Sequence, residues 1–256
     1  MADDTKLVKH TDKQSFWLGA TTATAVVFGL LLLGVMGGKV SFDGQASGGN
    51  RAPAAANDDT APVADDYPAE AEAEDIVIEP VSDDDWVRGS RDAEINIIEF
   101  SDLECPFCGR VHPTVQSIID DPKYAGKVNW VYRHFPLPFH PQAEPAAIAA
   151  ECVGELGGND AFWVFLDEIF AKQGSGLSAA AYSEAAAVAG VNATAFDTCV
   201  AEGRYADKVA DHTEQAGAAG GTGTPHSIIV SGDELIPVRG AVPRAQFEAI
   251  LDPLVE

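Results

Sequence analysis

Phe16 to Met36 is the first long apolar run of the chain and holds no charged residue, enough length to cross the hydrocarbon core of a bilayer. Leu30 to Leu33 is its most apolar part, and Phe16-Trp17 stands at one end as an interfacial anchor would. The run exceeds the ~7–15 residues of a signal peptide's apolar region, and no Ala-x-Ala cleavage site follows closely. The pattern therefore predicts an uncleaved transmembrane helix over residues 16–36 in preference to a cleaved signal. Lys6, Lys9 and Lys13 precede it and Lys39 and Arg51 follow it, a weak asymmetry that leaves residues 1–15 in the cytoplasm and the rest outside. Residues 37–80 are rich in Ala, Gly, Pro, Asp and Glu, with the low-complexity stretch Pro68 to Asp75. Such a segment buries too little surface to offset its conformational entropy, so it reads as a flexible acidic linker.

From Val81 the periodicity is that of a folded domain, residues 81–256. Ile95 to Phe100 reads as a strand with Ile95 and Ile97 on one face and Ile98 and Phe100 on the other, as in a central strand covered on both sides. A helix follows to about Ile119, with Phe107, Val111, Val115, Ile118 and Ile119 on one stripe. Pro113 should kink it. Val128 to Phe135 is a second strand, and the strand–helix–strand order predicts a parallel pair with a right-handed crossover. Residues 142–217 are Ala-rich with helical spacing, broken at Gly157-Gly158, Gly174 to Gly176 and Gly190, which predicts four or five helices inserted into the sheet domain. His226 to Val230 and Leu235 to Val238 read as an antiparallel hairpin, the second strand lying at an edge because of Pro237. A last helix opens near Pro243.

The net charge is −24. That balance argues against a nucleic-acid partner and fits a strongly solvated surface. Four cysteines, Cys105, Cys108, Cys152 and Cys199, are too few for a small disulfide scaffold.

The chemistry concentrates at Cys105-Pro106-Phe107-Cys108. Two cysteines three apart at a strand-to-helix turn put the first sulfur at a helix N-terminus. Unpaired N–H groups and the helix dipole favour its thiolate there, and the thiolate is the form that attacks a disulfide. Cys108 lies one turn inside, within reach to close a ring. Pro106 costs the helix no hydrogen bond at its start. Half of a zinc site is the competing reading of such a pair, but no second Cys-x-x-Cys and no His-x₃₋₅-His supplies further ligands, so no metal and no cofactor is expected. Asp102 precedes the motif; a buried carboxylate there could shuttle a proton, while Glu104 reads as solvated. His112, His134 and His140 have no partner at catalytic or metal spacing and read as structural.

Val81 to Gly89, then Glu99-Phe-Ser-Asp-Leu-Glu-Cys-Pro-Phe-Cys-Gly109, then Trp130 to Pro136, and lastly Gly223-Thr-Pro225 together resemble the DsbA-like thioredoxin-fold family of extracytoplasmic thiol–disulfide oxidoreductases. The resemblance covers about Val81 to Glu256. It implies an α/β thioredoxin-like fold with an inserted helical domain, in agreement with the order of elements read above. It also implies that Pro225, after Thr224, is the family's cis-proline, set beside the dithiol where an extended substrate can pair. Two departures stand out. Phe107 replaces the His of the family's strong oxidant and cannot donate to the thiolate, so the Cys105 pKa should be less extreme than that protein's ~3.5. His226 follows the proline, either as a surface or edge residue or near enough to Cys105 to tune it. By the same resemblance and the oxidising compartment it implies, Cys152 and Cys199 are expected to form a structural disulfide, in preference to two free buried thiols or a redox relay.

The expected function is a membrane-anchored oxidase of cysteine pairs in thiol-containing client proteins, recharged by a reoxidising partner in or near the membrane. A reductase or isomerase on the same scaffold, or a non-catalytic thioredoxin-like binding module, are the alternatives.

Overall fold

A computed structural model describes residues 76–256. Its element order is β1 (Trp86–Gly89), β2 (Ile95–Ser101), α1 (Pro106–Ile119), β3 (Val128–His134), α2 (Ala143–Lys172), a 3₁₀ turn (Gln173–Ser175), α3 (Ala179–Val188), α4 (Ala193–Ala201), α5 (Ala206–Ala218), β4 (His226–Ser231), β5 (Glu234–Arg239) and α6 (Arg244–Val255). The five strands form one sheet in the order β1-β3-β2-β4-β5. β2 and β3 run parallel, joined through α1, and every other pair is antiparallel. This is a thioredoxin-like α/β fold with α2 to α5 inserted between β3 and β4.

Both faces of β2 are buried, and they feed different cores. Ile95 and Ile97 enter a large cluster with α1, α2 and α6, including Val111, Val115, Phe162, Phe165 and Phe247. Ile98 and Phe100 enter a smaller one under α5, with Val87, Val131, Ala216, Ala219 and Ile228. The period-two alternation of one strand thus sorts side chains between two layers. α2 is not one straight helix: Gly158 sits at φ 79° and ψ −172°, a region that favours glycine, and the rod bends there. A buried disulfide joins Cys152 on α2 to Cys199 on α4. β5 forms one margin of the sheet, with Pro237 in register with Ile228.

In its elements the structure departs from the sequence reading in two places. β1 was not anticipated. It is short, begins within an acidic stretch, and owes its strand form to antiparallel pairing with β3 and to Val87 packing into the smaller core. The described part of the domain also includes residues before Val81. Ile76 and Ile78 pack on the smaller core, Val77 donates to the Ala218 carbonyl at 3.0 Å, and the carbonyls of Glu79 and Pro80 accept from Arg133. Residues 76–80 therefore belong with the domain, because apolar burial and the Arg133 guanidinium hold them. α6 opens at Arg244 with Pro243 as its N-cap, as the sequence reads. Among the described residues no helix is long and apolar enough to cross a membrane. The run from Phe16 to Met36, the N-terminal tail, and residues 37–75 of the linker lie outside the described residues.

Candidate active site

β2 delivers the chain into a short turn that ends at Cys105, the N-cap of α1, with Pro106 in the first helical turn. The helix starts there because Pro106 presets φ and has no N–H to leave unpaired. Both cysteines are free thiols. Cys105 is only 3% exposed and Cys108 fully buried, whereas Phe107 between them is 51% exposed. The Arg110 guanidinium lies over the Phe107 ring, 4.5 Å from its centroid.

The loop before β4 reaches across to this turn. The Thr224-Pro225 peptide bond is cis, and the Cys105 thiol donates to the Thr224 carbonyl at 3.6 Å. A recess of about 210 Å³ lies at this loop, lined by Gly223, Thr224, Pro225, His226, Arg239 and Gly240 among others. The neighbouring Cys108 thiol pulls the Cys105 pKa down to about 5; burial opposes this, and the Thr224 side chain and the N–H groups of Cys108 and Phe107 add to it. Burial pushes the Cys108 thiol well up, and the adjacent Cys105 and Glu99 push it further. At neutral pH the outer sulfur is therefore a thiolate and the inner one a thiol. This asymmetry separates an attacking or leaving sulfur from a proton-holding one.

Below the dithiol lies a polar group that sequence reasoning missed. Glu99, on the Ile95–Ile97 face of β2, is completely buried, and burial raises its carboxyl to about 7, with Ser101 and Trp130 partly offsetting. Its oxygens, the Ser101 hydroxyl, Trp130 Nε1 and the Tyr132 hydroxyl are all buried without a hydrogen-bond partner. Such a group costs stability and points to a role beyond packing. The available signal was a carboxylate at an alternate position of an otherwise apolar strand face.

Asp102 holds the turn. Its buried carboxylate accepts the N–H groups of Glu104 (2.7 Å), Cys105 (3.2 Å) and Leu137 (2.9 Å), and meets Nδ1 of His140 at 2.7 Å. Its own N–H points at Cys108 Sγ, 3.4 Å away. Glu104, read as solvated, instead accepts the Gln142 N–H at the start of α2, 2.6 Å; an unpaired helix-start donor draws it in. From the far end of α2, Gln173 Nε2 donates to the carbonyls of Leu103 (2.7 Å) and Cys105 (3.1 Å). Gln173 passes so close to α1 that a Cβ on Gly109 would lie 2.2 Å from its Oε1. No local pattern pointed to Gln173.

His226 is neither at the surface nor turned to Cys105. It is buried, pairs in register with Phe100, and its Nε2 donates to the Ala219 carbonyl at 2.8 Å. Phe100 and Ala219 belong to the smaller core, so strand alternation directs the ring under α5, away from the large cluster that contains the cysteines. Burial lowers its pKa. The three histidines read as unpartnered each meet a carboxylate: His140 with Asp102, His134 with Glu151 and His112 with Asp167. Glu151 also accepts from Lys208 and Trp86 Nε1, tying the insertion to the sheet. Among the described residues no cluster of three or more His, Cys, Asp or Glu is placed to hold a metal.

A family model described as Thioredoxin matches residues 82–252. Among solved structures, Pseudomonas aeruginosa DsbA2 is 27% identical with a TM-score of 0.56, over 66% of this chain and 93% of that one. A variant of Wolbachia pipientis α-DsbA1 is 23% identical with a TM-score of 0.58, over 69% of this chain and 92% of that one. Among curated proteins, the Na(+)/H(+) antiporter NhaA 1 of Salinispora arenicola is 34% identical over 152 residues, 59% of this chain. The chain spans 22% of that relative's length.

Proposed function

The chain belongs to the thioredoxin family whose model matches residues 82–252, and from that premise we propose that it is a thiol–disulfide oxidoreductase that oxidises cysteine pairs in client proteins outside the cytoplasm. The observation that carries the proposal is the placement of the free Cys105–Cys108 pair at the start of α1, its outer sulfur 3.6 Å from the Thr224 carbonyl beside a cis-proline; the depressed Cys105 pKa and the raised Cys108 pKa fit it. In the oxidised form a client thiolate attacks Cys105 Sγ and the Cys105–Cys108 bond breaks. The electron pair goes to Cys108, which takes up a proton; Glu99, raised to about 7, is suited to supply it. The client's second thiolate then attacks the client sulfur of the mixed disulfide and expels Cys105 as its stabilised thiolate. The client leaves with one new disulfide, and the enzyme holds two electrons and two thiols until a reoxidising partner accepts those electrons.

Thr224 and Pro225 beside Cys105 offer backbone along which an extended client can lie, and the exposed Phe107 and Phe139 (72% exposed) supply apolar contact nearby. The Cys152–Cys199 bond supports an oxidising compartment, and it leaves neither of those sulfurs available to complete a metal site with the dithiol. The apolar run Phe16 to Met36 supports a membrane anchor, which would hold the domain near membrane-bound partners. The transport named for the antiporter relative is not carried over, because the site here is a dithiol.

Cys108→Ser should trap mixed disulfides with clients, and Cys105→Ser should abolish both the trap and thiol oxidation. Undiminished oxidation by Cys105→Ser would leave a binding module instead. Equilibration with glutathione decides direction: a potential near thioredoxin's ~−270 mV would favour the reductase reading.

A further inference from the structure

Asp102 sits at the centre of the turn that carries both sulfurs, and we propose that His140 is a positioning residue of the exchange site: its imidazole balances the buried Asp102 carboxylate, so that Cys105 faces no uncompensated negative charge. The inference rests on the oxidoreductase reading above and extends it to what sets the redox poise.

The turn needs an acceptor. The N–H groups of Glu104, Cys105 and Leu137 all converge on Asp102, and a buried N–H without a partner is costly. A carboxylate with no side-chain exposure answers that need, but its charge has a side effect. A negative charge beside a cysteine disfavours the thiolate, and Asp102 adjoins both cysteines, accepting from the Cys105 N–H and donating to Cys108 Sγ. Neutralisation comes from the loop between β3 and α2. A carboxylate only accepts, so His140 Nδ1 carries the hydrogen of their 2.7 Å contact, and its ring remains 18% exposed. The other charged or titratable groups about the turn are Glu99, which acts on Cys108, Glu104, drawn off to the Gln142 N–H, the two cysteines, the Tyr132 phenol on β3, whose pKa Asp102 helps to raise, and Arg110. Arg110 is the one cation among these, and it lies over the Phe107 ring, whereas His140 meets the Asp102 carboxylate directly.

The test compares variants of the full chain by thiolate ultraviolet absorbance against pH and by equilibration with glutathione. His140→Gln keeps a hydrogen-bond donor but no charge; the Cys105 pKa should rise by about one unit and the glutathione equilibrium should move about tenfold toward the oxidised enzyme. His140→Lys, which restores a cation, and the double variant Asp102→Asn/His140→Gln, which removes both charges, should each return to within about threefold of the parent equilibrium. If His140→Gln lowers the melting temperature but leaves pKa and equilibrium unchanged, the pair is only a structural tie and the proposal falls. It also falls if the double variant departs further than the single. An unmodified chain with no exchange activity and no acidic thiol would instead sink the oxidoreductase reading, so the two failures are distinct.

Discussion

If Cys105 is acidic because of its place in the fold, the reduced protein should gain stability over the oxidised one as pH rises. The perturbation is pH itself, applied to both redox forms. An ordinary thiol titrates near ~8.5, and Cys105 titrates at about 5. A depressed folded-state pKa contributes stability that is complete above the unfolded value and is lost as pH falls through the folded one. The contribution should therefore be near zero below about pH 4, grow by ~1.4 kcal/mol per unit between about pH 5 and pH 8.5, and then level off. At pH 7 it amounts to about 2.7 kcal/mol, equivalent to roughly 60 mV toward a more oxidising dithiol. Cys105 is nearly buried, so solvent screening takes little from this figure. Urea unfolding of reduced and oxidised protein from about pH 5 to pH 8 measures it. Taking the difference between the two forms removes groups common to both, Glu99 included, to first order. A difference that stays flat across that range would refute the reasoning, since no thiolate would then be stabilised by folding.

Glu99→Gln should be stabilising on the alkaline side. A carboxyl whose folded pKa is raised to about 7 opposes folding once pH exceeds its ordinary value, so the variant's advantage should grow to about 3 kcal/mol by pH 8 and shrink toward pH 5, read by urea unfolding at both. Replacing Cys152 and Cys199 together by Ala removes a crosslink spanning 47 positions and should cost about 4 kcal/mol in the chain-entropy model, while the absorbance titration of Cys105 stays in place. Gln173→Ala takes the donor from the Leu103 carbonyl, while the Cys105 carbonyl keeps the Gly109 N–H, and should cost about 1–3 kcal/mol. Gly109→Ala pushes the Gln173 amide off its carbonyls and should cost no more than Gln173→Ala does, with little further loss when the two are combined, because the same side chain is displaced in both.

Much of this architecture was legible because periodicity speaks for neighbours in sequence. The two-sided burial of Ile95 to Phe100 was readable as a central strand, and Gly158 marked the bend in α2. What escaped was whatever depends on partners far along the chain. β1 is half polar and became a strand only against β3. Cys105, Cys108, Thr224 and Pro225 could be named from the resemblance, but the acceptor role of Asp102 depends on Leu137 and His140, and the grip on the Cys105 carbonyl comes from Gln173, 68 residues on. His226 was misread because the residue after a loop proline suggests exposure, whereas the alternation of β4 turns it inward opposite Phe100. Glu99 was the nearest miss: a lone acid on the Ile95–Ile97 face is a sequence-visible anomaly, and only burial discloses its meaning.

One consequence follows from how the sheet is finished at its two sides. A protein that handles unfolded chains works among loose strands looking for something to pair with, and any open ladder it displays invites polymerisation. β1 offers four residues, too brief a template for a growing fibril. β5 is longer, but Pro237 interrupts it with a residue that has no N–H to give. Pairing is thereby discouraged along the outer margins, and on the proposed function a client's extended backbone is left the Thr224-Pro225 segment, where a sulfur waits.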